Sequence, residues 1–292
     1  MAASPLIQVD ELQRLLAGPE PGRPVVLDVR YRLGSSTGRQ EFEDSHVPAA
    51  SYVDMDTELA TIRPDGGGGR HPMPAVETFT AAMQFAGVTM SRPVVAYDDW
   101  ASLPASRVWW MLRHLGFLDV RVLDGGIAAW TAAGQPTESG PGSAAVGDFT
   151  PSSTGVGHLL DATDARMYAA AHLLLDARPA DRFRGENETV DPVAGHIPGA
   201  VNVPALANVD REGRFLSAAA LAATFRVVGV HVNVHANVNV NEAKIIGTYC
   251  GSGVQASHLA LALSVAGITD GVDVYIGSWS EWVTDPARAV DV

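Results

Sequence analysis

The 292-residue chain has little cysteine, few basic residues and no long hydrophobic run. Its single cysteine, Cys250, excludes an intrachain disulfide framework and a zinc site built from several cysteines. Lys and Arg number 20 against 33 Asp and Glu, and this net charge of −13 disfavours a nucleic-acid partner. No apolar run approaches the roughly 18 residues that span a membrane. The first ten residues lack a signal-peptide pattern, so we expect a cytoplasmic protein that makes no membrane contact.

Four short motifs occur twice in the chain, in the same order. The matching ranges are 27–30 with 175–178, 46–50 with 196–200, 97–98 with 249–250, and 125–130 with 277–282. The offset drifts only from 148 to 152 residues, which indicates a tandem duplication. We therefore predict two domains, 1–140 and 158–292, joined by a Gly- and Pro-rich linker at 141–157. The first copy carries Asp98 where the second carries Cys250.

Each copy alternates short apolar runs with helical patterns, which predicts an α/β fold with a mostly parallel sheet covered by helices on both faces. The predicted strands are 24–29, 92–97, 120–123, 244–249 and 272–276, and the predicted helices are 107–115 and 256–266. Residues 230–241 alternate Val with Asn or His, and a strand, an exposed loop or an anomaly of the sequence all remain open. His231 and His235 lack a third ligand, so no metal site is expected.

Cys250 lies between an apolar strand and a predicted helix, in a glycine-rich turn. Gly251 and Gly253 free the backbone to point successive N–H groups at the sulfur, and the helix N-terminus adds partial positive charge. Both effects favour the nucleophilic thiolate. The alternative is a buried cysteine that serves as a small hydrophobic residue. The Ser252 hydroxyl can donate to the thiolate or relay a proton, or serve only as a turn residue.

The residues around the cysteine narrow the chemistry. A phosphatase loop of the Cys-x5-Arg type needs an arginine where this chain has Ala256, which makes a phosphatase a distant alternative. A Cys-x-x-Cys redox site is excluded by the cysteine count, and no local histidine identifies a protease. What remains is chemistry that needs one polarised sulfur in a cradle of amides, such as carrying a sulfane sulfur as a persulfide on Cys250.

Motifs in both halves of the chain resemble the two-domain rhodanese family of sulfurtransferases. They are Asp-Ala-Arg at 176–178, Arg-Phe-Arg-Gly at 182–185, Gly-His-Ile-Pro-Gly-Ala at 195–200, Cys-Gly-Ser-Gly-Val at 250–254, Gly-Ser-Trp-Ser-Glu-Trp at 277–282, and, in the first copy, Ser-Arg-Val-Trp-Trp at 106–110 and Leu-Asp-Gly-Gly at 123–126. The resemblance covers nearly the whole chain. It implies two similar α/β domains, with catalysis at the second domain's cysteine loop.

The neutral loop after the cysteine resembles 3-mercaptopyruvate sulfurtransferases, whereas thiosulfate sulfurtransferases typically carry basic residues there. This resemblance implies that Cys250, Ser252, Asp56 and His71 are catalytic and that Arg182 binds the donor's acid group. The loop residues Gly251, Gly253, Val254 and Gln255 complete the implied substrate site. A second substrate arginine has no match in the acidic segment 186–193, and Gln255 stands where threonine is usual.

Two functions from different classes follow. In the first, Cys250 takes sulfur from 3-mercaptopyruvate or thiosulfate and passes it to cyanide, a small thiol or reduced thioredoxin, with no metal or organic cofactor. In the second, the chain is a sulfur-carrier or regulatory module with little turnover of its own.

Overall fold

The computed structural model describes residues 4–20, 22–63, 67–143, 146–230 and 245–292. The chain divides into two compact units that do not follow the sequence halves strictly. The first unit contains Met1–Thr61, Pro74–Val156 and Val209–Phe215, and the second contains Ile62–Met73, Gly157–Asn208 and Leu216–Val292. The second unit therefore includes a short segment from the first half of the sequence. The alternating stretch predicted at 230–241 lies, from residue 231 onward, outside the described residues.

The first unit is built on a five-stranded sheet whose neighbouring strands all run parallel. The strands are β1 (Leu6–Ile7), β2 (Val25–Asp28), β3 (Ala50–Tyr52), β4 (Val94–Tyr97) and β5 (Val120–Leu123), in the order β1-β5-β4-β2-β3. The helices are α1 (Val9–Leu16), α2 (Gly38–Asp44), α3 (Val76–Phe85), α4 (Leu103–His114) and α5 (Gly126–Ala132). Every residue of β2 and β4 is buried, as expected for central strands of a covered parallel sheet.

The second unit repeats this arrangement with a four-stranded parallel sheet in the order β7-β6-β8-β9. Its strands are β6 (Leu173–Asp176), β7 (Val201–Asn202), β8 (Ile246–Tyr249) and β9 (Asp273–Val274). Its helices are α6 (Ala162–Ala171), α7 (Ala180–Phe183), α8 (Ala218–Val227), α9 (Val254–Val265) and α10 (Ser278–Trp282), with a 3-10 turn at Ala205–Asn208. Leu159 forms a parallel bridge to Val274 at the edge that β1 occupies in the first unit. The predicted α/β class with parallel sheets is confirmed.

Buried polar contacts also recur in both units. In each, a strand-end aspartate binds the arginine two residues later, and a strand tyrosine accepts an N–H from the residue after a His. The pairs are Arg30 Nη2–Asp28 and Arg178 Nη2–Asp176 at 2.8 and 2.7 Å, and Val47 N–Tyr97 Oη and Ile197 N–Tyr249 Oη at 3.1 Å each. Removing one partner of such a buried ion pair costs about 3–5 kcal/mol. These repeated contacts support the duplication inferred from the motif offsets.

Several element boundaries differ from the sequence-based prediction. Helix α4 begins at Leu103 rather than at 107, and α9 begins at Val254 rather than at 256. Both start immediately after the turn that follows a sheet strand, and Pro104 in the first turn of α4 is compatible with helix initiation. The last strand of the second unit is limited to Asp273–Val274, shorter than the predicted 272–276.

The end of the predicted linker packs against the first unit. Phe149 is fully buried, and its ring makes edge contacts with Phe79 and Phe117 at centroid distances of 5.9 and 6.2 Å. The N–H of Ser152 donates to the carbonyl of Leu115 at 2.8 Å. This part of the Gly- and Pro-rich stretch is therefore held in place. Among the described residues, no helix is both long and apolar enough to cross a bilayer.

Candidate active site

The cysteine loop connects β8 to α9 in the second unit. Cys250 is 1% exposed, and its Sγ accepts N–H groups from Gly253 at 3.1 Å and from Ser252 at 3.4 Å. Gly253 has a φ of +84°, a conformation that costs a residue with a Cβ about 1–2 kcal/mol. Because these amides precede the N-terminus of a 12-residue helix, the loop stabilises negative charge on the sulfur.

Backbone and hydroxyl groups at the start of α10 hold the cysteine loop in place. The N–H of Cys250 donates to Ser278 Oγ at 3.1 Å, and that hydroxyl in turn donates to the Tyr275 carbonyl at 2.8 Å. The Cys250 carbonyl accepts from the N–H of Trp279 at 2.9 Å. Ser278 has a φ of +54°, so its backbone is strained at the point where it meets the cysteine. Sequence reasoning did not single out Ser278, although it lies inside a repeated motif.

His71 reaches the cysteine loop from the segment Ile62–Met73. Its Nδ1 shares a hydrogen bond of 2.8 Å with Ser252 Oγ, across 181 residues of sequence, and its ring is buried. The segment is anchored on α10, where the N–H of Arg70 donates to Ser280 Oγ at 2.9 Å. The structure thus brings together Cys250, Ser252 and His71, three of the four predicted catalytic residues.

Arg182, in α7, forms part of a dense ion-pair cluster. Its guanidinium donates three bonds to Glu188 at 2.8, 2.9 and 3.0 Å and one bond to Asp191 Oδ2 at 2.9 Å. The side chain of Arg182 is 16% exposed, and those of Glu188 and Asp191 are 3% and 2% exposed. The carboxylates lie in the acidic segment 186–193, which therefore holds the predicted anion-binding arginine in place.

A second arginine, which sequence reasoning missed, lies beside the cysteine loop. Arg70 Nη1 donates to Asp191 Oδ1 at 2.7 Å, so Asp191 bridges Arg70 and Arg182. A Cβ built on Gly251 would lie 3.3 Å from Arg70 Nη2 and 3.7 Å from Arg182 Nη1. Both guanidinium groups therefore lie next to the residue that follows the cysteine. The sequence offered only one signal for Arg70, namely that it precedes the predicted His71.

Positive and negative charges balance within this cluster. Three arginines alternate with three carboxylates in the order Asp176, Arg178, Glu188, Arg182, Asp191 and Arg70. Burial alone would raise the pKa of Glu188, but N–H groups of Asp191 and Val190 and the guanidinium of Arg182 together lower it. Burial likewise opposes the charge of Arg178, yet the pKa of this side chain is raised because of Asp176. The loop therefore adjoins a cluster in which three arginines pair with three carboxylates, so that their formal charges cancel.

The site thus consists of a buried sulfur in an amide cradle, next to a hydroxyl–imidazole pair and two arginines. Both halves of the chain also match one known domain. The sequence profile described as the Rhodanese-like domain matches residues 8–133 and again residues 159–285. The chain belongs to the rhodanese family of sulfurtransferases. The family predicted from the motifs is thus confirmed, together with the tandem arrangement.

Members of this family that resemble the chain extend over nearly its full length. A putative thiosulfate sulfurtransferase, SseB of Mycobacterium tuberculosis, is 39% identical over 290 residues, which is 98% of this chain and 96% of SseB. A probable 3-mercaptopyruvate sulfurtransferase of Pseudomonas aeruginosa is 38% identical and covers 99% of both chains. The crystal structure of SseA from Escherichia coli, described as a 3-mercaptopyruvate sulfotransferase, is 31% identical, with a TM-score of 0.78 over 96% of this chain and 100% of that one.

The remaining predicted site residues have separate environments. Asp56 belongs to the first unit, where it is exposed, and the prediction that it takes part in catalysis remains a prediction. Val254 and Gln255 form the first turn of α9; Val254 is buried and Gln255 is partly exposed. Among residues 4–20, 22–63, 67–143, 146–230 and 245–292, no group of three or more His, Cys, Asp or Glu has a geometry that could hold a metal ion.

The rhodanese domain of the first unit carries Asp98 in the same type of turn. Its carboxylate accepts N–H groups from Trp100, Ser102 and Ala105 at 2.8, 3.0 and 2.8 Å. Its carbonyl accepts from the N–H of Ile127, just as the Cys250 carbonyl accepts from Trp279 in the second copy. The cradle is thus repeated, but it holds a carboxylate in place of a sulfur.

Proposed function

We propose that this rhodanese transfers a sulfane sulfur from 3-mercaptopyruvate to a thiophilic acceptor through a persulfide on Cys250. The observation that supports this most directly is the pair of N–H groups directed at the buried Sγ at the N-terminus of α9. Such a cradle stabilises a thiolate before the reaction and the terminal sulfur of a persulfide after it.

The loading step balances without a metal, an organic cofactor or an oxidant. The Cys250 thiolate attacks the donor's thiol sulfur, the new S–S bond forms, and the C–S bond breaks with its electron pair left on carbon. The products are a Cys250 persulfide and the enolate of pyruvate. The proton of the former donor thiol then moves to the enolate carbon, which gives pyruvate and an ionised persulfide. An acceptor such as cyanide takes the outer sulfur as thiocyanate and restores the thiolate.

Ser252 and His71 are suited to moving that proton. The two side chains share a 2.8 Å hydrogen bond, and the Ser252 N–H also donates to the reacting sulfur. We assign them the relay that carries the proton from sulfur to carbon, since general acid–base catalysis needs groups within hydrogen-bond reach. Asp56 is assigned a supporting role in the same relay, on the resemblance alone.

The neutral loop and the balanced ion-pair cluster favour 3-mercaptopyruvate over thiosulfate as the donor. A monoanionic carboxylate needs less compensating charge than the thiosulfate dianion. We assign its binding to Arg182, which lies next to Gly251, and to the loop amides of Gly251, Gly253, Val254 and Gln255. The names of the relatives divide between the two donors. Thiosulfate is therefore the alternative donor, with sulfite as its leaving group.

We propose cyanide, small thiols and reduced thioredoxin as acceptors. We also propose that only one of the two copies is catalytic. The catalytic copy is 158–292, whereas 1–140 is an inactive copy because Asp98 cannot form a persulfide, and 141–157 joins the two. The matched ranges 8–133 and 159–285 support these boundaries. A sulfur carrier with little turnover remains the alternative, because the segment 186–193 contributes acids where a second arginine was expected.

The test is steady-state sulfur transfer to cyanide, with 3-mercaptopyruvate and thiosulfate compared as donors. We expect a higher kcat/KM for 3-mercaptopyruvate than for thiosulfate. We also expect Cys250→Ser to lose transfer completely while its Tm stays within a few degrees of that of the unmodified protein. Residual turnover in Cys250→Ser would refute the mechanism. A stable persulfide that forms once without further turnover would favour the carrier function instead.

A further inference from the structure

Arg70 has a buried donor group that its neighbours leave unused. Its Nη1 and Nη2 donate to Asp191 at 2.7 and 3.4 Å, but its Nε is buried without a hydrogen-bond acceptor among the described residues. The side chain as a whole is nevertheless 27% exposed, so a ligand can reach part of it. A buried N–H without an acceptor is costly, and bound anions commonly supply the missing acceptor.

The position of Arg70 beside the cysteine loop indicates that its ligand would be a small anion. Arg70 Nη2 and Arg182 Nη1 both lie close to Gly251. A Cβ built on this glycine would be 3.3 Å from Arg70 Nη2 and 3.7 Å from Arg182 Nη1. A side chain at residue 251 would lie tightly against Arg70 and in ordinary contact with Arg182, so glycine leaves the space between the cysteine loop and the two arginines open to a small anion. Two guanidinium groups on adjacent sides of one carboxylate provide more donors than Arg182 alone.

Asp191 determines how these two arginines are arranged. Its Oδ1 accepts from Arg70 Nη1 at 2.7 Å, and its Oδ2 accepts from Arg182 Nη2 at 2.9 Å and from Arg70 Nη2 at 3.4 Å. The Asp191 side chain is almost fully buried. The carboxylate therefore fixes the distance between the guanidinium groups and, together with Glu188, compensates their positive charge. Two arginines whose charge is largely compensated suit a monoanion better than a dianion.

We infer that Arg70 is a second donor-binding residue, which binds the donor's carboxylate together with Arg182, and that Asp191 is a positioning residue that biases the pair toward monoanionic donors. This inference rests on the proposed function and deepens it by assigning donor selectivity to a residue from outside the catalytic copy's own sequence range.

The first experiment compares Arg70→Gln with Arg63→Gln, an exposed arginine of the same segment. Loss of a charge-assisted bond corresponds to about a tenfold or greater rise in KM for 3-mercaptopyruvate, with a smaller change in kcat. Arg63→Gln should stay within about twofold of the unmodified protein. Equal effects of the two substitutions would overturn the inference, because they would reflect only the loss of net charge.

The second experiment changes Asp191→Asn and measures the ratio of kcat/KM for thiosulfate to that for 3-mercaptopyruvate. The substitution removes one negative charge and weakens the ion pairs of Asp191 with Arg70 and Arg182. Both changes favour binding of the thiosulfate dianion, so we expect the ratio to rise about fivefold or more. An unchanged ratio in a variant whose thermal unfolding is intact would refute the role of Asp191. If Asp191→Asn unfolds, the same ratio is measured in Arg70→Gln, which removes the Arg70–Asp191 ion pair, and in Glu188→Gln, which leaves that pair in place. Glu188→Gln should then change the ratio less than Arg70→Gln does.

A readout independent of turnover separates this inference from the proposed function. Pyruvate, which carries the same carboxylate, should slow alkylation of Cys250 by iodoacetamide in the unmodified protein, and Arg70→Gln should need about tenfold more pyruvate for equal protection. Protection that is absent, or equal in both proteins, overturns the inference even if both donors are turned over. Protection that depends on Arg70 in a protein that turns over neither donor upholds the carboxylate site and rejects the sulfurtransfer scheme.

Discussion

Asp98 and Cys250 occupy equivalent turns, so their comparison isolates what one side chain contributes. Both lie at a strand end, both accept N–H groups from the following turn, and both carbonyls accept from the helix that follows the next strand. Only the sulfur can accept and release a second sulfur atom. The chemistry proposed for Cys250 therefore depends on its side chain, while the backbone cradle is common to both copies.

The Asp98 carboxylate makes stability depend on pH in a defined window. Burial raises its pKa from 3.8 to about 6, and the N–H groups of Ala105, Trp100 and Ser102 only partly oppose this. The folded state therefore holds a proton on Asp98 that the unfolded state has lost. The stabilisation is fully present below pH 3.8 and is lost as the pH rises through about 6.

Urea unfolding across this window tests that assignment. Because Asp98→Asn does not titrate, the free energy of unfolding of the unmodified protein should fall relative to Asp98→Asn by up to about 3 kcal/mol between the two pKa values. Asp119→Asn, which removes an exposed carboxylate of the same unit, serves as the control. Parallel pH profiles for the unmodified protein and Asp98→Asn would contradict the prediction.

The His71–Ser252 pair should affect the two donors unequally. Pyruvate enolate needs a proton on carbon, whereas sulfite leaves thiosulfate without one. His71→Gln should therefore lower kcat for 3-mercaptopyruvate about 100-fold and change turnover of thiosulfate only a few-fold. Donor-resolved kinetics measure this, with His172→Gln at the end of α6 as the control. Equal losses for both donors would indicate that His71 is needed for the structure of the loop rather than for proton transfer.

At the scale of elements, the proposed function depends on the junction between β8 and α9. The strand ends at Tyr249, the helix begins at Val254, and the four residues between them direct two N–H groups at one sulfur. Contacts from the first turn of α10 hold that loop from the other side. Three elements thus determine the geometry of a four-residue turn.

Gly253 is the residue of this junction most sensitive to substitution. Its φ of +84° disfavours a Cβ, so Gly253→Ala should strain the turn by about 1–2 kcal/mol and move the N–H that lies 3.1 Å from Sγ. We expect a fall in kcat of about tenfold or more with either donor. Gly267→Ala, after the other end of α9, has a φ of +68° with open space around it and is the matched control. Equal activity of both variants would show that the Gly253 amide does not contribute to catalysis.

At the scale of the whole molecule, the second unit is completed by residues from the first half of the sequence. The segment Ile62–Met73 belongs to it and carries both Arg70 and His71. Gly68 N–H donates to Glu281 at 3.2 Å and Arg70 N–H to Ser280 at 2.9 Å, so the segment is anchored on α10. Gene duplication alone does not account for this site, because the second unit contains the segment Ile62–Met73 from the first half of the sequence.

Gly69 tests the importance of that anchoring. It has a φ of +79°, and a Cβ there would lie 2.6 Å from Ser280 Oγ, so Gly69→Ala should displace the segment. We expect kcat/KM for 3-mercaptopyruvate to fall at least tenfold, measured by transfer to cyanide. Gly34→Ala, at a φ of +78° with open space, carries the same backbone strain without the contact and should keep its activity. Similar losses in both variants would attribute the effect to backbone strain.

Much of the fold was predictable because it depends on local patterns. Apolar runs at 24–29 and 92–97 marked central strands, and the regular motif offsets were enough to indicate the duplication. Helix starts were less predictable, since α4 and α9 begin where a preceding turn directs the chain. The cysteine loop was recognisable because glycines, cysteine and helix start are contiguous in sequence.

Contacts between distant segments were not predictable in the same way. Arg70 and Asp191 are 121 residues apart, and no local pattern marks either as part of the site. The sequence alone determined the duplicated α/β architecture, the family and the position of the nucleophile candidate, because these depend on periodicity and contiguous motifs. Only the tertiary structure decided which charges surround the sulfur, because ion pairs and the hydroxyl–imidazole contact form where folding brings remote segments within 3 Å.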